Sequence, residues 1–210
     1  MFNLTPVVRV LLLLNVAVLL AQGAGLVPND VFSLHAFESP LFRPWQVLTY
    51  MFMHGGWGHL ISNSLSLFFF GALLESRWGS ARFLTFYLVC GVGAGLLYNG
   101  IRAWEIHQMQ VAADYESLTR ILKDNPENAS LREAAVREVQ SLANYITTYS
   151  SMLGASGAVF GILFAFGYLF PNTELYIYFA FPIKAKYFVF LYGAYELYSG
   201  VHRTAGDNGA

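Results

Sequence analysis

Trp57-Gly-His59-Leu-Ile-Ser-Asn63-Ser-Leu-Ser-Leu-Phe-Phe-Phe-Gly-Ala-Leu-Leu74 is an uncharged run close to the ~20 apolar residues that cross a bilayer core. In hydrocarbon the backbone must satisfy its own hydrogen bonds, so such a run predicts a helix. Polar groups are expensive there and need a reason. His59 and Asn63 are four apart and share one helix face, one turn apart. Two readings follow. A neutral imidazole and an amide side by side can donate toward a common point, as an oxyanion requires. Alternatively, both make interhelical hydrogen bonds within a bundle.

The rest of the chain has the same character. Of 210 residues, 56% are hydrophobic and only 12% charged, against about 25% charged in ordinary soluble chains. Mean hydropathy is +0.46, and the apolar residues come in long blocks. Besides Trp57–Leu74, four blocks run from about Val7 to Val27, Phe83 to Ile101, Met152 to Phe170 and Leu175 to Leu197. Their lengths predict an all-α, polytopic transmembrane helix bundle with about five spans, the lipid bilayer being its first partner. The 18 Phe and 13 Tyr suit lipid-facing and interfacial positions. The first block has a rival reading. Arg9 followed by an apolar run and Ala-Gln-Gly-Ala resembles a signal peptide, although the four later spans favour a retained helix. A net charge of −1 gives nucleic-acid binding no support. The single cysteine, Cys90, excludes an internal disulfide framework, and it sits in an apolar run with no adjacent base.

Between the third and fourth blocks the composition changes. Over about 102–150 charges are frequent, and Ile121, Leu122, Leu131, Val136, Val139 and Leu142 can line one seam. Asp124-Asn-Pro-Glu-Asn128 predicts a turn, and Ser130 followed by Glu133 is a capping-box pattern opening a new helix. This segment reads as a helical hairpin standing outside the membrane, either a solvated insertion or an element that recognises substrate or partner. Arg77 and Arg82 in one turn and Lys184 and Lys186 in another mark the same side of the membrane. The positive-inside rule makes that side cytoplasmic, together with the N-terminus, and places the hairpin on the opposite side.

A second polar set opens the fourth block: Gly154-Ala155-Ser156-Gly157-Ala158. Gly157 and Gly161 form a small-xxx-small face that lets a neighbouring helix approach. Ser156 then lies near the outer surface, within reach of water. Alone, the serine is equally a packed-face residue. The pattern is not the nucleophile elbow of soluble hydrolases, because Ala158 stands where that motif requires Gly.

Taken together, the two sets resemble the rhomboid family of intramembrane serine peptidases, over about Pro44 to Asn208 without the insertion. Phe42-Arg-Pro-Trp45-Gln46-Val-Leu-Thr49 resembles the family's lead-in to its second helix. His54 and His59-x-x-x-Asn63 match its histidines and asparagine. Gly71-Ala-Leu-Leu-Glu75-Ser-Arg77-Trp-Gly79 resembles its acidic-basic turn, Gly154-Ala155-Ser156-Gly157 its serine motif, and Pro182-Ile-Lys184 the start of its fifth helix.

The resemblance implies a single membrane domain over 1–210 that cleaves transmembrane or near-membrane segments of membrane proteins. Ser156 would be the nucleophile, with His59, Asn63 and the Ser156 backbone N–H binding the oxyanion. Glu75 and Arg77 would join as a hydrogen-bonded pair, and His54 would be structural. It implies no cofactor; no metal is implied either, since the five histidines do not cluster with carboxylates at ligand spacing. It also implies a general-base histidine on a sixth helix, in an Ala-His-x-x-Gly pattern. The chain instead reads Val201-His202-Arg-Thr-Ala-Gly206-Asp207-Asn208-Gly-Ala210. A serine nucleophile without its base loses on the order of a millionfold in kcat, so the 210 residues alone are expected to be nearly inactive. Three readings compete: a truncated active peptidase, a non-catalytic relative that binds membrane-protein clients, and an unrelated membrane protein. The first fits best, since every upstream motif residue is in place.

Overall fold

The computed structural model describes residues 4–112, 123, 128–131, 133–134, 137, 151–177 and 181–202. Of the predicted seam, all but Leu131 lies outside these residues, as do the Asp124–Glu127 part of the turn and Gly206-Asp207-Asn208.

Helix α1 (Pro6–Gly23) begins with proline at its first turn, where the missing N–H is no loss. Val8, Leu11 and Asn15 are buried, so the first apolar block is built into the bundle. A loop carrying α2 (Asn29–Phe32) and β1 (Leu34–His35) leads to α3 (Gln46–Thr49) and a 3₁₀ turn, Tyr50–Phe52. Gln46 is fully buried and ties this loop together. Its Oε1 accepts from His35 N and Arg43 N, and its Nε2 donates to Val31 O and Leu41 O.

The quoted stretch forms α4 (Trp57–Ser66), a π-turn (Leu67–Gly71) and α5 (Ala72–Trp78), one apolar rod of 22 residues. Gly79 (φ +81°) makes the tight turn into α6 (Ser80–Ala112). With 33 residues, α6 is ~50 Å long, more than the ~30 Å of a bilayer core. The helix therefore does not stop at 102: the third span and the first arm of the insertion are one continuous element. Further on, Asn128 rather than Ser130 caps the next helical residues. Its Oδ1 accepts from Leu131 N and from Ser130 Oγ, which takes the serine out of the capping role expected of it.

Strand β2 (Ser151–Met152) pairs antiparallel with β1, Leu34 opposite Met152 and His35 opposite Ser151. It leads into α7 (Ser156–Leu169), 14 residues or ~21 Å. Two strands follow, β3 (Glu174–Ile177) and β4 (Phe181–Lys184), before α8 (Ala185–His202). The last span thus begins at Ala185, not Leu175. The preceding apolar residues pair as a hairpin, with Glu174 opposite Lys184 and Leu175 opposite Ile183. Pro182 has no N–H to offer a helix and steers the residue before it toward extended backbone.

Helix α7 is the centre of the molecule. Ala158, Val159, Ile162, Leu163, Ala165 and Phe166 are buried. Small residues admit its neighbours: Gly157 meets Ala94 and Gly161 meets Cys90, both on α6, and Gly167 meets Val189 on α8. The core adds Val8, Leu67, Leu74, Phe83 and Tyr87 from the surrounding helices. Outward-facing apolar side chains, among them Leu13, Val89, Leu97, Phe164 and Phe190, are exposed, as lipid contact requires. Among the described residues three helical stretches, Pro6–Gly23, Trp57–Trp78 and Ser80–Glu105, are long and apolar enough to span a membrane.

Candidate active site

His59 stands in the first turn of α4, and Asn63 follows one turn on, buried. The two edges of the His59 ring face different segments. Its Nδ1 accepts from Gly55 N at 3.4 Å. The Cε1–Nε2 edge lies on Gly154, so closely that a Cβ at 154 would fall 2.5 Å from Cε1 and 2.6 Å from Nε2. Gly154 also has φ +119°, a conformation side chains rarely adopt, and its N–H donates to Tyr50 O at 2.9 Å. Two residues later Ser156 opens α7, half-buried.

The quoted stretch and the serine motif, about 95 residues apart in the chain, thus meet through the His59–Gly154 contact. Gly157 does not reach this contact but seats α7 on α6. The first N–H groups of α7 have no intrahelical acceptor and carry the positive end of the helix dipole. Among the described residues the buried Asn63 Nδ2 has no partner, and no side-chain hydrogen bond is made by the Ser156 hydroxyl. A ring nitrogen lying on the loop two residues before a helix N-terminus is an arrangement suited to oxyanion stabilisation.

His54 is buried beside His59, ring centroids 5.2 Å apart in an edge-on arrangement. Its Nδ1 lies 3.2 Å from Phe52 O. A carbonyl only accepts, so Nδ1 carries the proton. Burial, assisted by the neighbouring His59, lowers its pKa to about 4, and the ring is neutral at physiological pH.

Glu75 and Arg77 belong to the other end of the rod, ~24 Å along the helix from His59. They do not form the expected pair. The buried Glu75 carboxylate accepts from Val7 N and Val8 N, each at 3.0 Å, and from Ser80 Oγ at 2.6 Å. It caps α1 and locks the turn into α6. Arg77 instead lies over the Phe170 ring, 5.7 Å from its centroid. Bare N–H groups at a helix start are fixed, unscreened partners for a buried carboxylate, whereas the guanidinium reaches an aromatic face and solvent.

Two residues of this region carry no chemistry in the sequence. Tyr50 joins the serine loop to α6: its carbonyl accepts from Gly154 N and its hydroxyl donates to Gly91 O at 2.6 Å. Gln22, at the end of α1, holds the backbone of His54 at both N and O. A lone amide closing an apolar helix was the only available sign of it.

Long apolar helices around a short central one define an integral, multi-pass helical membrane protein. Residues 42–106 match the family described as the Rhomboid domain. An uncharacterized mitochondrial rhomboid protein of Schizosaccharomyces pombe is 26% identical, the match covering 86% of this chain and 54% of that protein. The mitochondrial RHOMBOID-like protein 12 of Arabidopsis thaliana is 30% identical, over 79% of this chain and 41% of its own length. YdcA of Bacillus subtilis, provisionally named a rhomboid protease, is 40% identical over 26% of each chain. The chain belongs to the rhomboid family. It spans about half the length of the first two of these relatives, and no solved structure matches it.

Proposed function

We propose that this chain is the membrane core of a serine-type endopeptidase that cuts transmembrane or near-membrane segments of other membrane proteins. The observation that carries this reading is the contact of the His59 ring edge with Gly154, two residues before Ser156. Ser156 Oγ attacks the scissile carbonyl. The oxyanion that forms takes hydrogen bonds from the Ser156 backbone N–H, His59 and Asn63. The unpartnered Asn63 Nδ2 supports this role. The positive-inside rule gives a cytoplasmic N-terminus and an extracytoplasmic active-site end, on the strength of Arg77, Arg82, Lys184 and Lys186.

The serine proton needs an acceptor. The rhomboid resemblance assigns it to a histidine in an Ala-His-x-x-Gly pattern, which these 210 residues do not contain. The peptidase reading therefore concerns the protein as it occurs in its native membrane. Binding of membrane-protein clients without cleavage is the second reading, favoured by the absence of a hydrogen-bonded base at the Ser156 hydroxyl among the described residues.

The test uses protein isolated from its native membrane, its mass compared with the 23.4 kDa of this chain. It is reconstituted with a single-span substrate and treated with a fluorophosphonate. Labelling at Ser156, cleavage lost in Ser156→Ala, and a kcat lower by ~10²–10³ in Asn63→Ala are expected. Unlabelled protein that retains the substrate uncut, equally in Ser156→Ala, would move the binding reading to first place.

A further inference from the structure

Gln22 grips one residue of the loop before α4 from both sides. Its Oε1 accepts from His54 N at 3.1 Å, and its Nε2 donates to His54 O, also at 3.1 Å. The His54 N–H can only donate and its C=O can only accept, which fixes which end of the amide is which; the same Nε2 also donates to Asn29 Oδ1 at 2.7 Å. The next peptide group consists of the His54 carbonyl and the Gly55 N–H. A trans peptide is planar, and its C=O and N–H point in opposite directions; no cis bond occurs among the described residues. Holding the carbonyl on Gln22 therefore aims the Gly55 N–H the other way, where it meets His59 Nδ1. Gly55 and Gly56 have no side chains to resist rotation of this peptide, so an outside grip is needed to fix it.

An N–H that points at Nδ1 requires a lone pair there. A neutral imidazole with Nδ1 as acceptor carries its proton on Nε2. Nε2 belongs to the edge that lies on Gly154. We infer that Gln22 is a positioning residue that fixes the tautomer of His59, through the His54–Gly55 peptide, so that His59 presents a donor to the serine loop. The inference rests on the oxyanion reading for its purpose, though not for its chemistry: the opposite tautomer would turn a lone pair toward a developing negative charge.

The tautomer can be read without activity. The full chain, with nitrogen-15 labelled histidine, is placed in nanodiscs near neutral pH, and the His59 resonances are assigned by their loss in His59→Phe. A proton on Nε2 and a bare Nδ1 are expected, moving to a mixture or to the reverse form in Gln22→Leu. Gln22→Glu serves if the leucine variant does not fold. It keeps the acceptor for His54 N and removes the donor to His54 O, and it should also shift the tautomer. A proton on Nδ1 in the unsubstituted protein, alone or with Nε2, overturns the inference, as does an unchanged tautomer in a folded Gln22 variant. Fluorophosphonate labelling of Ser156 in the native protein separates the two ideas. Labelling slowed about tenfold or more by Gln22→Glu, with the tautomer shift, supports both. The expected tautomer with an inert Ser156 defeats the peptidase reading alone. Slower labelling with an unmoved tautomer defeats the inference alone.

Discussion

A side chain at position 154 meets two obstacles of different kinds. Its backbone sits at φ +119°, and a Cβ would enter the space of the His59 ring. Gly154→Ala should lose stability by about 1–3 kcal/mol from the backbone strain alone. Displacing His59 adds to that and misaligns the loop carrying Ser156. Melting in detergent of Gly154→Ala, His59→Ala and the double variant separates the two: removing the ring should restore the overlap part and leave the strain. His54 gives a pH dependence of known sign. Its pKa falls from the ordinary 6.5 to about 4 on folding, because the buried ring resists charge. Above about pH 6.5 both states are neutral and stability is unaffected. As pH falls toward 4 the unfolded chain takes up a proton that the folded chain refuses, and on the order of 3 kcal/mol is lost. Detergent melting against pH should show this decline, and His54→Phe should flatten it. At this scale the sequence was legible where a pattern is local. His59 and Asn63 share a face by helix periodicity alone. The hold of Gln22 on His54 was not legible, because the two lie 32 residues apart.

The same distinction governs the elements. The rhomboid resemblance implied that Glu75 pairs with Arg77, two residues on. The true partners are the amides of Val7 and Val8, 68 and 67 residues distant. No local pattern announces them. Glu75→Ala leaves those N–H groups and Ser80 without their acceptor and should cost about 3 kcal/mol, since hydrogen bonds to a charged group are the strong ones. Glu75→Gln, which keeps an acceptor oxygen, should lose less. Arg77→Ala gives up a cation–π contact and should lose no more than about 1 kcal/mol. Chemical melting of the three variants in one detergent checks the order. Element boundaries were less legible than element positions. Leu175 to Leu197 reads as one apolar block of span length, and hydropathy does not distinguish a helix from an apolar hairpin at its start. Likewise α6 runs on to Ala112 although its composition turns polar after Ile101, because helix propensity survives where hydrophobicity ends.

For the whole molecule the multi-pass bundle was readable from block length, since the bilayer imposes one requirement on every span. The arrangement of the spans was not. That α7 lies innermost follows from its contacts on both sides, with α6 through Gly157 and Gly161 and with α8 through Gly167. The sequence showed small residues there but not which neighbours they admit. One of those contacts makes the protein its own gauge. Gly161 leaves room for the Cys90 sulfur and nothing larger, and Cys90 is the sole thiol of the chain. Cys90 is half-buried, and bulk coupled to its sulfur is opposed on the glycine side by α7. The rate of maleimide coupling, followed by mass, therefore rises as the two central helices loosen. Slow coupling that accelerates in step with mild denaturant is the expected record. Coupling as fast as that of a free thiol in the same detergent would mean that the Gly161 contact does not shield the sulfur.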